Sequence, residues 1–144
     1  MKIVCDTNVL VSGILFRGHP RRILLLAAQG RLTNCTSPAL LWEVETVLIR
    51  PKFGLRPGQV AGILALFRDT FELVHPGESV TAIVDDPADN RVLETGSADA
   101  ADLIVSGDPH LLGLKEWHGI RVLSPADFVA EVGRQGERGG SGKP

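Results

Sequence analysis

Acidic side chains stand at the points where short apolar runs of this chain turn polar. Asp6 follows Ile3-Val4-Cys5 in "CDTNVLVSG", Asp89 lies in "VDDPADNRVLE", and Asp108 follows "LIVSG" in "SGDPHLL". A further acid comes from "SPALLWEVETVLIR", which offers both Glu43 and Glu45. Carboxylates gathered at one place repel and raise one another's pKa unless a cation neutralises them. Hard oxygen donors of this kind suit Mg2+ or Mn2+. An ion so held can polarise a phosphodiester and activate water. Each acid also has a plainer use. Asp6 can satisfy the amides that open a helix from Val9, Asp89 can cap a helix beginning near Asn90, and Asp108 before Pro109 can cap another. His19, His75, His110 and His118 are scattered without zinc-ligand spacing and read as surface or loop residues.

The elements that must position these acids alternate. Strands are expected at Lys2 to Cys5, Leu32 to Cys35, Phe71 to Val74, Leu103 to Val105 and Arg121 to Leu123. Helix signals lie between them. Ser37-Pro38 opens a helix that stops before Pro51, Pro57 starts one running to about Thr70, and Ser124-Pro125 opens a last helix ending near Gly133. "VHPGESVTA" reads as a surface loop. The expected fold is α/β, a three-layer α/β/α sandwich with a mostly parallel central sheet. Residues 1–133 form the domain, and the Gly-rich stretch 134–144 is expected to be a disordered tail. Sites in such folds form beyond the carboxyl ends of the strands, which is where Asp6 and Asp108 fall. On the helical wheel Glu43 and Glu45 flank the apolar stripe of Leu40, Leu41, Val44, Val47 and Leu48 from opposite sides, so periodicity leaves both open.

The chain has 144 residues, 44% hydrophobic and 22% charged, the balance of an ordinary water-soluble domain. No apolar run approaches the roughly 20 residues needed to span a bilayer, and no secretory signal is evident. Cys5 and Cys35 are the only cysteines and lack CxxC spacing. Buried, reduced thiols and a cytoplasmic location are the expectation. The net charge is −2 but unevenly spread. Arg17 to Arg68 holds eight basic residues against Glu43 and Glu45, and Asp69 to Asp108 holds ten acids against Arg91. Such asymmetry suits a basic surface that holds a polyanion beside an acidic cleft.

Four segments, "IVCDTNVLVSG", "SPALLWEVETVL", "DPADNRVLE" and "ADLIVSGDPHLL", resemble in order and spacing the motifs of the PIN-domain ribonucleases. The likeness extends to "GIRVLSPADFV" and favours the group described as toxin components of toxin–antitoxin pairs. It implies a ribonuclease dependent on Mg2+ or Mn2+, with Asp6, Glu43, Asp89 and Asp108 as catalytic and metal-holding acids. It is the resemblance that selects Glu43. Thr7, Asn8 and Ser106 correspond to the family's small polar helpers. An RNA substrate, a cognate antitoxin and a homodimer are implied partners. Charge placement adds Arg21 and Arg22 as RNA-holding residues. The stretch "ETGSADAAD" departs from the family pattern, and Gly96 weakens its helix by about 1 kcal/mol relative to alanine. Asp85, Asp86, Asp99 and Asp102 are left outside the site.

Other classes fit poorly. A haloacid-dehalogenase-type phosphatase needs a second aspartate where Asn8 stands. A receiver domain needs a phosphate-contacting lysine after a late strand, and a dinucleotide-binding domain a Gly-rich first turn. The remaining rival is a catalytically silent PIN-like scaffold that binds RNA or a protein. Its mark would be the loss of an acid, and all four are present.

Overall fold

The computed structural model describes residues 1–77 and 87–141. Its elements are β1 (Lys2–Cys5), α1 (Thr7–Leu15), α2 (His19–Ala28), β2 (Thr33–Thr36), α3 (Pro38–Leu48), a 3-10 turn (Pro51–Phe53), α4 (Pro57–Thr70) and β3 (Glu72–Leu73). After residues 78–86 come α5 (Pro87–Ala98), β4 (Leu103–Val105), α6 (Pro109–Leu114), β5 (Glu116–Trp117), β6 (Ile120–Leu123) and α7 (Pro125–Ser141). The sheet order is β3-β2-β1-β4-β6-β5, parallel throughout except for the β5–β6 pair. The expected mostly parallel α/β/α sandwich is thus the observed fold.

β1 is central, and its apolar run is continuous because both faces are covered. Ile3 and Cys5 enter the core with α1, α2, α3, α4 and α7, whereas Val4 packs with α5 and α6. β4 repeats this alternation, with Leu103 and Val105 on the first side and Ile104 on the second. From β1 the chain moves outward through β2 to β3, and β4, β6 and β5 occupy the other half. The order therefore reverses between β1 and β4, and a crevice opens beyond their carboxyl ends.

Several boundaries differ from the sequence reading. α1 starts at Thr7, directly behind Asp6, and α2 is a separate helix because Gly18 breaks the chain at φ 134°. α1 and α2 then touch closely: a Cβ on Gly13 would lie 2.6 Å from Leu24 Cδ1. α5 begins at Pro87 rather than near Asn90, so Asp89 is a first-turn residue. That helix passes unbroken through Gly96, which is buried against Ile104 and Ile120. The β5–β6 hairpin was not expected. His118 and Gly119 both hold positive φ (49° and 84°), the two-residue turn that joins antiparallel strands. α7 continues past Gly133 to Ser141, where a disordered tail was expected. Part of the "VHPGESVTA" loop, together with Asp85 and Asp86, lies outside the described residues.

Candidate metal centre

Asp6 is the first residue beyond β1 and only 4% exposed. Its backbone N–H donates to Val105 O at 3.1 Å, which carries the β1–β4 pairing one step past the strand ends. Its side chain has two tasks. Oδ1 accepts from the Val9 N–H at 2.8 Å and caps α1, and Oδ2 accepts from the Ser106 hydroxyl. Ser106 Oγ in turn accepts from the Asp108 N–H at 2.9 Å. Ser106 itself is held by its own N–H to Leu123 O at 3.0 Å. Three adjacent strands, β1, β4 and β6, thereby fix the position of one carboxylate.

Asp108 caps α6, accepting from the His110 N–H at 2.7 Å, and Asp89 sits 7% exposed in the first turn of α5. α1, α5 and α6 consequently begin around one point, and helix N-termini favour negative charge. Asp6, Thr7, Asn8, Glu43, Asp89 and Asp108 line a common cleft of about 40 Å³, with Ala88 and Val92 closing it. Glu43 faces this cleft, while Glu45 is exposed to solvent. Burial outweighs every other influence on Asp6 and raises its pKa from 3.8 to about 6. The Ser106 and Val9 hydrogen bonds pull it down, and the charges of Asp108 and Glu43 push it up.

A divalent ion fits this donor set. Thr7 lines the same cleft, and its buried hydroxyl has no hydrogen-bond partner among the described residues. A buried hydroxyl seldom goes unpartnered, and a bound ion or its water would satisfy it. The space is a few times the roughly 10–15 Å³ that one water centre needs. Oxygen donors predominate, as Mg2+ and Mn2+ require.

His110 escaped the sequence reading. Its Nδ1 lies 3.3 Å from Asp108 Oδ1 and 3.9 Å from Asp89 Oδ2. The signal available was its place two residues after an acid that caps a short helix, where the chain turns back over the cap. Arg21 lies elsewhere. Its guanidinium donates to Gly13 O at 3.2 Å and Ile14 O at 3.1 Å, closing the end of α1. Arg22 is exposed.

Two other features attract notice for different reasons. A cavity of about 310 Å³ between α1, α2 and α4 is lined by Leu24, Leu25, Leu66, Phe67 and Phe71, with Arg21 its one charged group among the described residues. It is larger than the acidic cleft, but the described residues place no carboxylate or imidazole in it. At the amino end of β1, Lys2 Nζ pairs with Asp99 at 3.2 Å and Glu72 at 3.6 Å. The Cys35 thiol donates to Asp99 at 3.1 Å, and its pKa is pushed up to about 12, chiefly by burial. The lysine already supplies the positive charge there. Cys5 and Cys35 are both free thiols. Asp102 accepts from the Lys2 N–H at 2.8 Å and so pairs β4 to β1 far from the cleft.

Acids gathered at the switch point of a parallel sheet define a family, and comparison with known proteins agrees. The PIN domain family matches residues 2–110, and the chain belongs to it. Members of this family are generally nucleases. An uncharacterized protein of Methanocaldococcus jannaschii, MJ1680, is 27% identical over 143 residues, covering 91% of each chain. Among solved structures, VapBC2 from Rickettsia felis, bound to a DNA fragment from its promoter, superposes with a TM-score of 0.59 at 17% identity. That match covers 86% of this chain and 98% of the other. FitAcB from Neisseria gonorrhoeae gives a TM-score of 0.51 at 16% identity, covering 85% and 97%. These two likenesses concern the fold. No described helix is long and apolar enough to cross a membrane.

Proposed function

We propose that this protein is a ribonuclease dependent on Mg2+ or Mn2+, acting as the toxin of a toxin–antitoxin pair in the cytoplasm. The observation that carries the reading is the joining of Asp6, Glu43, Asp89 and Asp108 in one cleft with Thr7, whose buried hydroxyl has no partner among the described residues. Asp6, Asp89 and Asp108 would hold the ion, with Glu43 acting directly or through water. Such an ion would supply an activated water and neutralise charge on the phosphodiester. The chain's own part is placement. Ser106 and the Val9 N–H fix the Asp6 carboxylate, so few of its rotamers remain to be lost on binding. Asn8 and Thr7 border the cleft and can hydrogen-bond to phosphate oxygens or bound water. Arg22, which is exposed, would attract the polyanion. The solved relatives are toxin–antitoxin complexes, which supports a small protein partner for this chain.

An RNA-cleavage assay with a metal titration tests the reading. The native chain should cut RNA only with the ion present, and Asp6→Asn and Asp89→Asn should each lose 100-fold or more, by roughly 3 kcal/mol of lost transition-state stabilisation. Activity unchanged in Asp6→Asn overturns the mechanism. RNA binding without cleavage by the native chain would mark the silent scaffold instead.

A further inference from the structure

We infer that His110 makes this cleft a mixed nitrogen-and-oxygen centre that prefers Mn2+ over Mg2+. The inference rests on reading the cleft as a metal centre and goes one step further, to the identity of the ion.

Three donor atoms lie within 4.8 Å of one another: one carboxylate oxygen each from Asp89 and Asp108, and an imidazole nitrogen of His110. An octahedral ion with bonds of about 2.1 Å places neighbouring donors roughly 3 Å apart and opposite donors roughly 4.2 Å apart. The observed separations from His110 Nδ1, 3.3 Å to Asp108 and 3.9 Å to Asp89, fall inside that range. Small side-chain rotations would therefore bring all three to one ion. The backbone assists, because the His110 N–H already holds Asp108 Oδ1 and ties the two residues together. The imidazole is 46% exposed beside two acids that line the cleft, so it can reorient at little packing cost. Thr7 lines the same cleft, and its buried hydroxyl, without a hydrogen-bond partner among the described residues, is the independent sign that something is held there.

The ligand chemistry then decides the ion. Mg2+ demands near-ideal oxygen coordination, keeps several waters and takes nitrogen poorly. First-row transition ions accept imidazole readily, and Mn2+ is the one that also suits a carboxylate-rich site. An aspartate or serine at position 110 would leave an all-oxygen centre. Histidine there adds affinity for Mn2+ that Mg2+ cannot share.

Mn2+ binding, followed by calorimetry and electron paramagnetic resonance, tests this on the full chain, with Mg2+ as competitor. The native protein should show nitrogen hyperfine coupling from a bound imidazole in pulsed spectra. His110→Ala and His110→Gln should lose that coupling and bind Mn2+ about tenfold more weakly, with Mg2+ affinity changed by less than about threefold. Native protein that binds Mn2+ without nitrogen coupling, or variants that bind it as tightly as native, overturn the inference while leaving the metal centre standing. Failure of the native chain to bind either ion, or binding unaffected by Asp89→Asn, overturns the metal centre itself.

Discussion

Asp6→Asn should make the metal-free protein more stable at neutral and alkaline pH while removing its proposed activity. The carboxyl is buried, and its pKa rises from 3.8 to about 6 on folding. A raised acid pKa means that the folded state disfavours the charged form. The cost is therefore full above about pH 6, falls as pH drops through that value, and is gone below the unfolded pKa. Two pKa units correspond to about 3 kcal/mol, an upper figure for the gain on removing the charge. Asparagine keeps the cap, since its oxygen can still accept from the Val9 N–H. Its amide then faces Ser106 Oγ, which already receives the Asp108 N–H and must send its own proton elsewhere. That mismatch costs about 1 kcal/mol and does not vary with pH. Near pH 8 the variant should melt on the order of 5 °C higher than the native chain without metal. The advantage should shrink between pH 6 and 4, and saturating Mn2+ should erase or reverse it by stabilising only the native chain. Calorimetric melting at pH 4.5 and 8, with and without metal, reads all three effects. A melting difference that is the same at both pH values refutes the assignment of a buried, charge-strained carboxylate to Asp6.

Further outcomes follow from neighbouring contacts. Ser106→Ala removes a hydrogen bond that lowers the Asp6 pKa, so the midpoint of Mn2+ binding should move to higher pH; an unmoved midpoint in a pH series of calorimetric titrations contradicts this. Gly13→Ala puts a methyl 2.6 Å from Leu24 Cδ1 and 3.0 Å from Pro20 O, and should cost about 1–3 kcal/mol in urea unfolding. Arg21→Ala removes two donors from the end of α1 and should destabilise by about 1 kcal/mol. Arg22→Ala should leave the unfolding midpoint alone and lower the salt slope of RNA binding by about one; an unchanged slope removes Arg22 from the proposed RNA surface.

The parts of the fold legible in the sequence were those written in local chemistry. Ile3-Val4-Cys5 announced a strand, and Ser37-Pro38 announced the start of α3. The rest depended on through-space partners. The wheel could not separate Glu43 from Glu45, because both flank the buried stripe and only the fold decides which side meets the cleft. Ser106 was singled out by resemblance, yet its bond to Asp6 spans a sequence separation of 100 and needs the β1–β4 register. β5 was too short for periodicity to register, although His118-Gly119 held its turn signal. Arg21 looked like a free cation because its acceptors, two carbonyls at the end of α1, carry no mark in a sequence.

Capping and catalysis are not competing explanations for these acids, and the difference between them lies in what each requires. A helix cap requires one acceptor oxygen, and asparagine or serine supplies it as well as aspartate does. Asp6 uses one oxygen in this way and has the other fixed by Ser106, at a depth where its charge is strongly disfavoured. Asp108 caps α6 on the same cleft and adds to that disfavour, as does Glu43. Neutral caps at positions 6 and 108 would keep both helix starts and avoid the repulsion. The charge is therefore the part that the fold does not need, and a cation is the partner that would turn its cost into binding energy.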